Sequence, residues 1–519
     1  MFEQFSALDG VAFLIYLLLL VGSGWLINRR PHSGESYFLG NHAMPVALVA
    51  ISVVATSQSA ATFLGGPDQG YRSDLTYLTT TFSALIAAII VSRFLLPAFY
   101  QNNVFTVYEL LEKRYGSPAR KSAGLMYLLG RVFASGARLY IAALAVSMIL
   151  FANIAPTSIL VSIGVIIVCG LFYTVSGGIR SVIYSDAIQA AVYTLSAITV
   201  IAVLFDKIAL PFDEIISQLQ GQSEDEASKL RFIDTSFSLA SAHVFSLPNI
   251  LLGMVLLNVA AFGLDQDMTQ RLLTCRDKKA GQRALFISVL VTAAVMFLFI
   301  TIGLLLYVYY KNLSTALMGD SPHYLGQTVT IFLYFVLTDL PAGVKGLVTI
   351  GIIAAALSSL NSGLNSMASV LVQDFYAPMK RKQRLEVSPS QLIFAGRLAM
   401  TLVAVALGGM AVVCFYWQQY SDTPLLQFAL SVMIFSYSGL LGIYIISLFT
   451  RRGNYHSVIC ALCAGFVTPL LMQPYVVTLY PVSWQFDLAF TWQLIIGTVV
   501  ASVVCWIGKP PITEHKESA

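Results

Sequence analysis

The sequence predicts an all-α, polytopic membrane protein with about 13 transmembrane helices, and three observations carry that prediction. Of the 519 residues 57% are hydrophobic and only 11% charged, with a mean hydropathy of +0.76, whereas a soluble domain carries about 25% charge. The apolar residues fall into runs of roughly 20, the length of helix that crosses a hydrocarbon core of about 30 Å. Two of these runs, the second and the seventh, are interrupted by clusters of polar residues and glycine.

In chain order the runs lie near 9–27, 44–66, 75–100, 122–151, 156–175, 183–206, 245–268, 283–309, 342–375, 391–417, 425–449, 454–474 and 487–508. The first is long enough to span and ends in Asn28-Arg29-Arg30, so it reads as a retained helix rather than a cleaved leader. The apolar segment near 325–338 is a candidate for one extra short helix. Lys and Arg set the orientation: with the first loop in the cytoplasm, roughly twenty lie inside and about six outside. The inside set includes Arg29, Arg30, Lys113, Arg114, Arg120, Lys121, the cluster from Arg276 to Arg283, Lys380–Arg384, Arg451 and Arg452. The longest outside loop, about 207–243, is instead acidic, with Asp213, Glu214, Glu224, Asp225 and Glu226. This predicts a multi-pass protein of the cell inner (plasma) membrane, N-terminus outside and C-terminus cytoplasmic.

Several functions are excluded early. The six cysteines are scattered, and the Cys460/Cys463 pair sits in an apolar run with no second pair or nearby His, which speaks against a redox or metal role. The six histidines show no metal-ligand spacing, and there is no nucleotide-binding loop, so an ATP-driven pump is not expected. No nucleophile–base set appears either, and the chain does not read as an enzyme. About a dozen residues follow Gly508, so no soluble catalytic or signalling domain is expected.

The ninth run carries the most informative pattern. Within 347–372, Ala355, Ser358, Ser359 and Ser362 stand at i, i+3, i+4 and i+7 and share one helix face. Such a stripe either lets another helix approach closely or offers oxygens to a hard cation such as Na⁺. The second run contains Val54-Ala55-Thr56-Ser57-Gln58-Ser59-Ala60-Ala61-Thr62, followed by Gly65, Gly66 and Pro67. The seventh contains Asn258-Val259-Ala260-Ala261-Phe262-Gly263-Leu264-Asp265-Gln266-Asp267. These interruptions lie five spans apart, and a block of five spans reverses its orientation when repeated. Paired, interrupted helices in two inverted halves point to a transporter's midplane site, because backbone opens at that depth only against protein or water. The plainer alternative is that Ser, Thr and Gly mark helix packing.

Arg131 and Arg138 stand at i, i+7 inside the fourth run and face one way. An arginine at membrane depth keeps its charge and needs a partner. Either one of them clamps a substrate carboxylate, or they bridge to Asp186, Asp265 or Asp267. Arg131 is also the nearer to the cytoplasmic interface, and Arg138 the deeper.

Several segments together carry a family resemblance. They are Tyr37-Phe38-Leu39-Gly40, the amphipathic stretch Phe105 to Tyr115, Ser176-Gly177-Gly178-Ile179-Arg180-Ser181 running on to Asp186 and Gln189, Asp267-Met268-Thr269-Gln270-Arg271, and the Ala355–Ser359 stripe with Asp374-Phe375-Tyr376. In their order and spacing the chain resembles the sodium/solute symporter family, whose members include bacterial transporters of sugars, proline and sialic acid. The resemblance implies one transmembrane transporter domain over 1–519. Its core would be two inverted five-helix repeats, 44–206 and 245–449, with discontinuous helices 2 and 7, one helix before and two after (454–508). It implies a Na⁺ site made of the carbonyls of Ala55, Gln58 and Ala355 and the hydroxyls of Ser358 and Ser359. Five neutral oxygens suit a weakly held monovalent ion, whereas Mg²⁺ or Ca²⁺ recruits carboxylates, so Na⁺ is the only metal expected.

Ser59, Thr62, Asp186 and Ser362 resemble a second Na⁺ site or release path, from which Asn361 departs. Asp186 reads alternatively as a structural partner for an arginine. For substrate, Asn258 stands where sugar-transporting members place a polar contact, but Ala261 replaces a stacking Tyr and Thr62 a sugar-binding Gln. Asp265 is positioned in the same interruption for an amino group or water. The set Thr62, Arg131, Arg138, Asn258 and Asp265 slightly favours a carboxylate-bearing solute: an organic acid, an acidic sugar such as sialic acid, or an amino acid. For a neutral solute one Na⁺ supplies about 2.3 kcal/mol per 100 mV and about 1.4 kcal/mol per tenfold gradient. The expectation is therefore a Na⁺-coupled symporter working by alternating access on a small solute. It would sit in membrane lipid with no nucleic acid and no obligatory protein partner. A neutral-sugar symporter, a passive facilitator and a transporter-like sensory module with a separate partner are the alternatives.

Overall fold

The computed structural model describes residues 6–27, 34–221, 228–313, 322–384, 387–418 and 425–509. Arg29, Arg30, Glu224, Asp225 and Glu226, which enter the orientation argument, lie outside the described residues. The architecture is helical throughout, in chain order α1 (Ala7–Ile27), α2 (Val46–Ser57), α3 (Ala60–Arg72), α4 (Leu75–Asn102), α5 (Ser117–Phe151), α6 (Pro156–Phe172), α7 (Gly177–Ile208), α8 (Leu247–Gly263), α9 (Gln266–Leu273), α10 (Lys278–Asn312), α11 (Val344–Lys382), α12 (Pro389–Gln418), α13 (Leu425–Phe449), α14 (Tyr455–Leu471) and α15 (Phe490–Ile507). Eight of these are long and apolar enough to cross a bilayer, and two bent pairs, α2 with α3 and α8 with α9, bring that to as many as ten. With the shorter apolar helices α1, α6 and α14, the described segments are consistent with about thirteen spans.

The second span breaks at Gln58 and Ser59, which are extended, and α3 leaves at 67° to α2. The local cause is hydroxyl competition for backbone carbonyls: Thr56 Oγ1 donates to Ser52 O (2.8 Å) and Ser57 Oγ to Val54 O (2.8 Å). Gly65, Gly66 and Pro67, which the sequence groups with the interruption, stay helical inside α3. Gly65 packs against Leu426 at the start of α13, and Gly66 and Pro67 pack against α10. A Cβ on Gly70 would lie 2.3 Å from Ile300 O, and one on Gly303 2.1 Å from Pro67 O, so the two backbones touch as small residues permit. The seventh span bends by 53° at Leu264 and Asp265. Asp265 restarts the helix as its N-cap, its carboxylate accepting from Asp267 N at 2.9 Å.

Fifth and sixth spans form one continuous run, Pro156–Ile208, kinked at Gly178 (φ 62°). A Cβ there would fall 2.5 Å from Tyr37 O, and Tyr37 OH donates to Val175 O at 3.2 Å. The Tyr37–Gly40 and Ser176–Gln189 motifs are therefore two sides of one packed corner. The apolar stretch near 325–338 forms a short helix, Ile331–Thr338, capped by Thr330 and packed on α3. Eight residues span only about 12 Å, too little to cross. The serine-striped α11 is enclosed: every residue from Ala354 to Val370 is buried, against α1, α2, α5, α7 and α12. Its N-terminal end is tied to α1, where Asp9 Oδ1 accepts from Gly343 N (2.8 Å) and Gly346 N (2.6 Å) in the manner of a charge at a helix N-terminus.

A candidate ion and solute site at a broken helix

The break in α2/α3 and the stripe on α11 meet. Ser358 Oγ donates to Ala55 O (2.9 Å) and to Ala355 O (3.1 Å), and Ser359 Oγ to Ala355 O (3.3 Å) and Ala356 O (3.1 Å). Four of the five expected sodium ligands, Ala55, Ala355, Ser358 and Ser359, are thus within hydrogen-bond reach of one another. The fifth, Gln58, is the extended residue that follows α2. All the oxygens are neutral, and a cation would take over the positive role that the serine protons play in these bonds. That chemistry fits a monovalent ion.

On its other side the break borders a cavity of about 160 Å³, a volume comparable to one that accommodates a benzene-sized molecule. Its wall includes Gln58, Ser59, Thr62, Asn258 and Arg138. Asn258 Nδ2 donates to Ser83 Oγ at 2.9 Å. Arg138 is the one charged side chain of the described wall. Its Nη2 meets only Met433 Sδ, at 3.6 Å, and its buried Nη1 has no partner among the described residues.

Arg131 and Asp265 do not line the cavity; they hold each other. Arg131 Nη1 donates to Asp265 Oδ2 (3.0 Å), its Nη2 reaches Asp267, and Tyr437 OH donates to Asp265 Oδ2 (2.6 Å). Asp186, Ser362 and Ser52 converge on a third intramembrane arginine, Arg271. Its Nε donates to Ser52 Oγ (2.9 Å), Nη1 to Asp267 O (2.7 Å) and Oδ1 (2.9 Å), and Nη2 to Asp186 Oδ2 (3.3 Å) and to Ser362 Oγ. Ser52 Oγ also donates to Asp186 Oδ2 at 2.6 Å. Asn361 turns elsewhere, its Oδ1 lying 2.8 Å from where a Cβ on Gly170 would stand.

The profile described as the Sodium:solute symporter family matches residues 37–465. The chain belongs to that family. As a sodium:solute symporter it uses Na⁺ as coupling ion and carries a small solute. It is 27% identical over 516 residues to the sodium/sialic acid symporter NanT of Aliivibrio fischeri, covering 99% of this chain and 95% of that one. It is 26% identical over 516 residues to the sodium/sialic acid symporter SiaT of Proteus mirabilis, covering 99% and 97%. Its fold is similar to that of a solved substrate-bound, outward-open Na⁺-coupled sialic acid symporter, with a TM-score of 0.79 at 24% identity over 97% of each chain. That likeness shows the fold, the inverted-repeat core with discontinuous helices 2 and 7.

Sequence reasoning placed Arg271 in a family motif without giving it a role, and passed over Tyr437 and Ser52 in this symporter. A signal for Arg271 was present: it stands four residues after Asp267, on the same helix face and at membrane depth. Tyr437 and Ser52 had none, because neither residue type is unusual within an apolar helix.

Proposed function

We propose that this symporter imports a carboxylate-bearing solute of the acidic-sugar class, with Arg138 receiving the carboxylate and Thr62 and Asn258 contacting the polar remainder. The observation that carries the reading is the bare guanidinium: a buried charge without a carboxylate partner, in the wall of a cavity, is matched by an anionic cargo. Similarity to sialic acid symporters supports the same class. Arg131 and Asp265 act in this reading as a closed pair beneath the cavity rather than as solute contacts. The solute is the working partner, in a lipid bilayer, with no obligatory protein partner and no enzymatic step.

Na⁺ is held by the carbonyls of Ala55, Gln58 and Ala355 and the hydroxyls of Ser358 and Ser359. Ion and solute then share a two-residue break. Binding Na⁺ orders the extended Gln58–Ser59 link from behind, and the same residues present their side chains to the cavity. A ligand that orders the link lowers the ordering cost of the other, which is positive coupling without direct contact. Asp186 and Ser362 serve as structural partners of Arg271 and belong, with Ser59 and Thr62, to the ion's route rather than its first site.

The repeats 44–206 and 245–449, each containing one broken helix, rock against each other, and the helices in 454–508 stand outside them. The Lys and Arg distribution supports an inner-membrane location with the N-terminus outside and the C-terminus cytoplasmic. Thermal stabilisation of the purified protein tests the substrate reading. Sialic acid should stabilise it only with Na⁺ present, and its methyl ester, which removes the charge and keeps the shape, should not. Equal stabilisation by the ester, or by a neutral hexose, rejects the role given to Arg138.

A further inference from the structure

Met433 stands where α13 is interrupted. The helix runs from Leu425 to Ser431 and again from Ile434, with a turn at Val432 and Met433 between the two parts. Met433 and Tyr437 lie at i, i+4 and share one helix face. α13 packs on α5, and the two helices meet there in two rungs. At one rung Tyr437 OH and Arg131 Nη1 both donate to Asp265 Oδ2, at 2.6 and 3.0 Å. At the other, Arg138 Nη2 lies 3.6 Å from Met433 Sδ, and Arg138 Nη1 has no partner among the described residues. Both members of this second rung are buried and both line the cavity. The first rung closes its arginine with carboxylates from the chain, whereas the second sets a thioether against its arginine.

A thioether is a weak acceptor carried on a flexible, unbranched stem. A carboxylate makes shorter, charge-assisted and bidentate bonds to a guanidinium, roughly twice as strong as neutral ones. An incoming carboxylate therefore displaces the sulfur easily. An amide or carboxylate built into the chain at the same position would instead satisfy Arg138 and compete with the cargo. We propose that Met433 sets the charge specificity of the solute site. Its thioether holds the carboxylate's place on Arg138 without satisfying the guanidinium, and the acceptor strength of the side chain at this position decides whether the site takes an anion. The inference rests on the role given to Arg138 above and adds the residue that keeps Arg138 available to the solute.

A series of substitutions in the full-length purified protein tests it, at saturating Na⁺ and with sialic acid and its methyl ester as probes. Half-saturation for sialic acid in thermal stabilisation should follow acceptor strength: about threefold lower than in the unaltered protein for Met433→Leu, about tenfold higher for Met433→Gln and about 100-fold higher for Met433→Glu. Tm without solute should rise in the same order, because each stronger acceptor satisfies more of the buried charge. The preference for acid over ester should survive in Met433→Leu and vanish in Met433→Glu. A residue that only fills space would not give opposite trends, since a poorer fit lowers stability and affinity together. A half-saturation that does not follow this order, or Tm and affinity that fall together, overturns the role of Met433. Equal stabilisation of the unaltered protein by acid and ester would instead reject the reading of Arg138. If Met433→Glu does not fold, the unaltered protein, Met433→Leu and Met433→Gln still define the order, and the same outcomes decide.

Discussion

Arg131 and Arg138 lie on one face of α5, seven residues and about 10.5 Å apart, and both are buried, at 3% and 9% exposure. Their surroundings are opposite. Arg131 is held by Asp265 and Asp267, while Arg138 meets one thioether and a cavity. The difference teaches that an intramembrane arginine is not functional by depth alone. Depth demands a partner, and where the protein supplies none, a visiting ligand is the remaining candidate.

The largest expected effect tests the paired member. Arg131→Ala leaves Asp265 without its guanidinium at a buried position, and breaking such a pair costs about 3–5 kcal/mol. We expect poor recovery of folded protein and a marked fall in Tm whether or not solute is present. Arg138→Ala should behave in the reverse way. Its Tm without solute should hold or rise, while half-saturation for the carboxylate solute increases about 10–100-fold, the value of a charged hydrogen bond of ~1.5–3 kcal/mol. A stability loss in Arg138→Ala as large as in Arg131→Ala would erase the contrast between the two sites.

Ser358→Ala separates the ion from the solute, since it removes the hydroxyl that bridges α2 and α11. Half-saturation for Na⁺ should rise about tenfold, with solute affinity at saturating Na⁺ nearly unchanged. Ser359→Ala should move in the same direction, and full Na⁺-driven uptake by both variants is incompatible with the proposed cage. The smallest effect is expected from Tyr437→Phe, which deletes one donor to Asp265. It should cost about 1 kcal/mol of stability, read as a modest drop in Tm at constant solute half-saturation.

Much of the architecture was legible in advance for a physical reason: length and apolarity of each run are local properties, and a bilayer leaves the backbone few options. The breaks near Gln58 and Asp265 were legible because hydroxyl, amide and carboxylate side chains stood where an apolar helix should continue. Their exact place was less so. Gly65–Pro67 looked like part of the interruption, yet that stretch stays helical and packs closely on Leu426, Phe299 and Gly303. In the site, the face shared by Ala355, Ser358, Ser359 and Ser362 followed from helical periodicity alone. The partners of Asp186 did not, since Arg271 lies 85 residues away in sequence.

By itself the sequence determined the membrane class, the family, the approximate spans, the two interruptions and the polar stripe, all written in neighbouring residues or in the order of short motifs. Only the tertiary structure decided which charges satisfy one another. Asp265 had Arg131 and Arg138 as possible partners, and choosing between them depends on how helices more than a hundred residues apart cross. That choice gave Arg131 and Arg271 their carboxylates and left Arg138 facing the cavity, because a buried charge is stable only where geometry brings a counter-charge within reach.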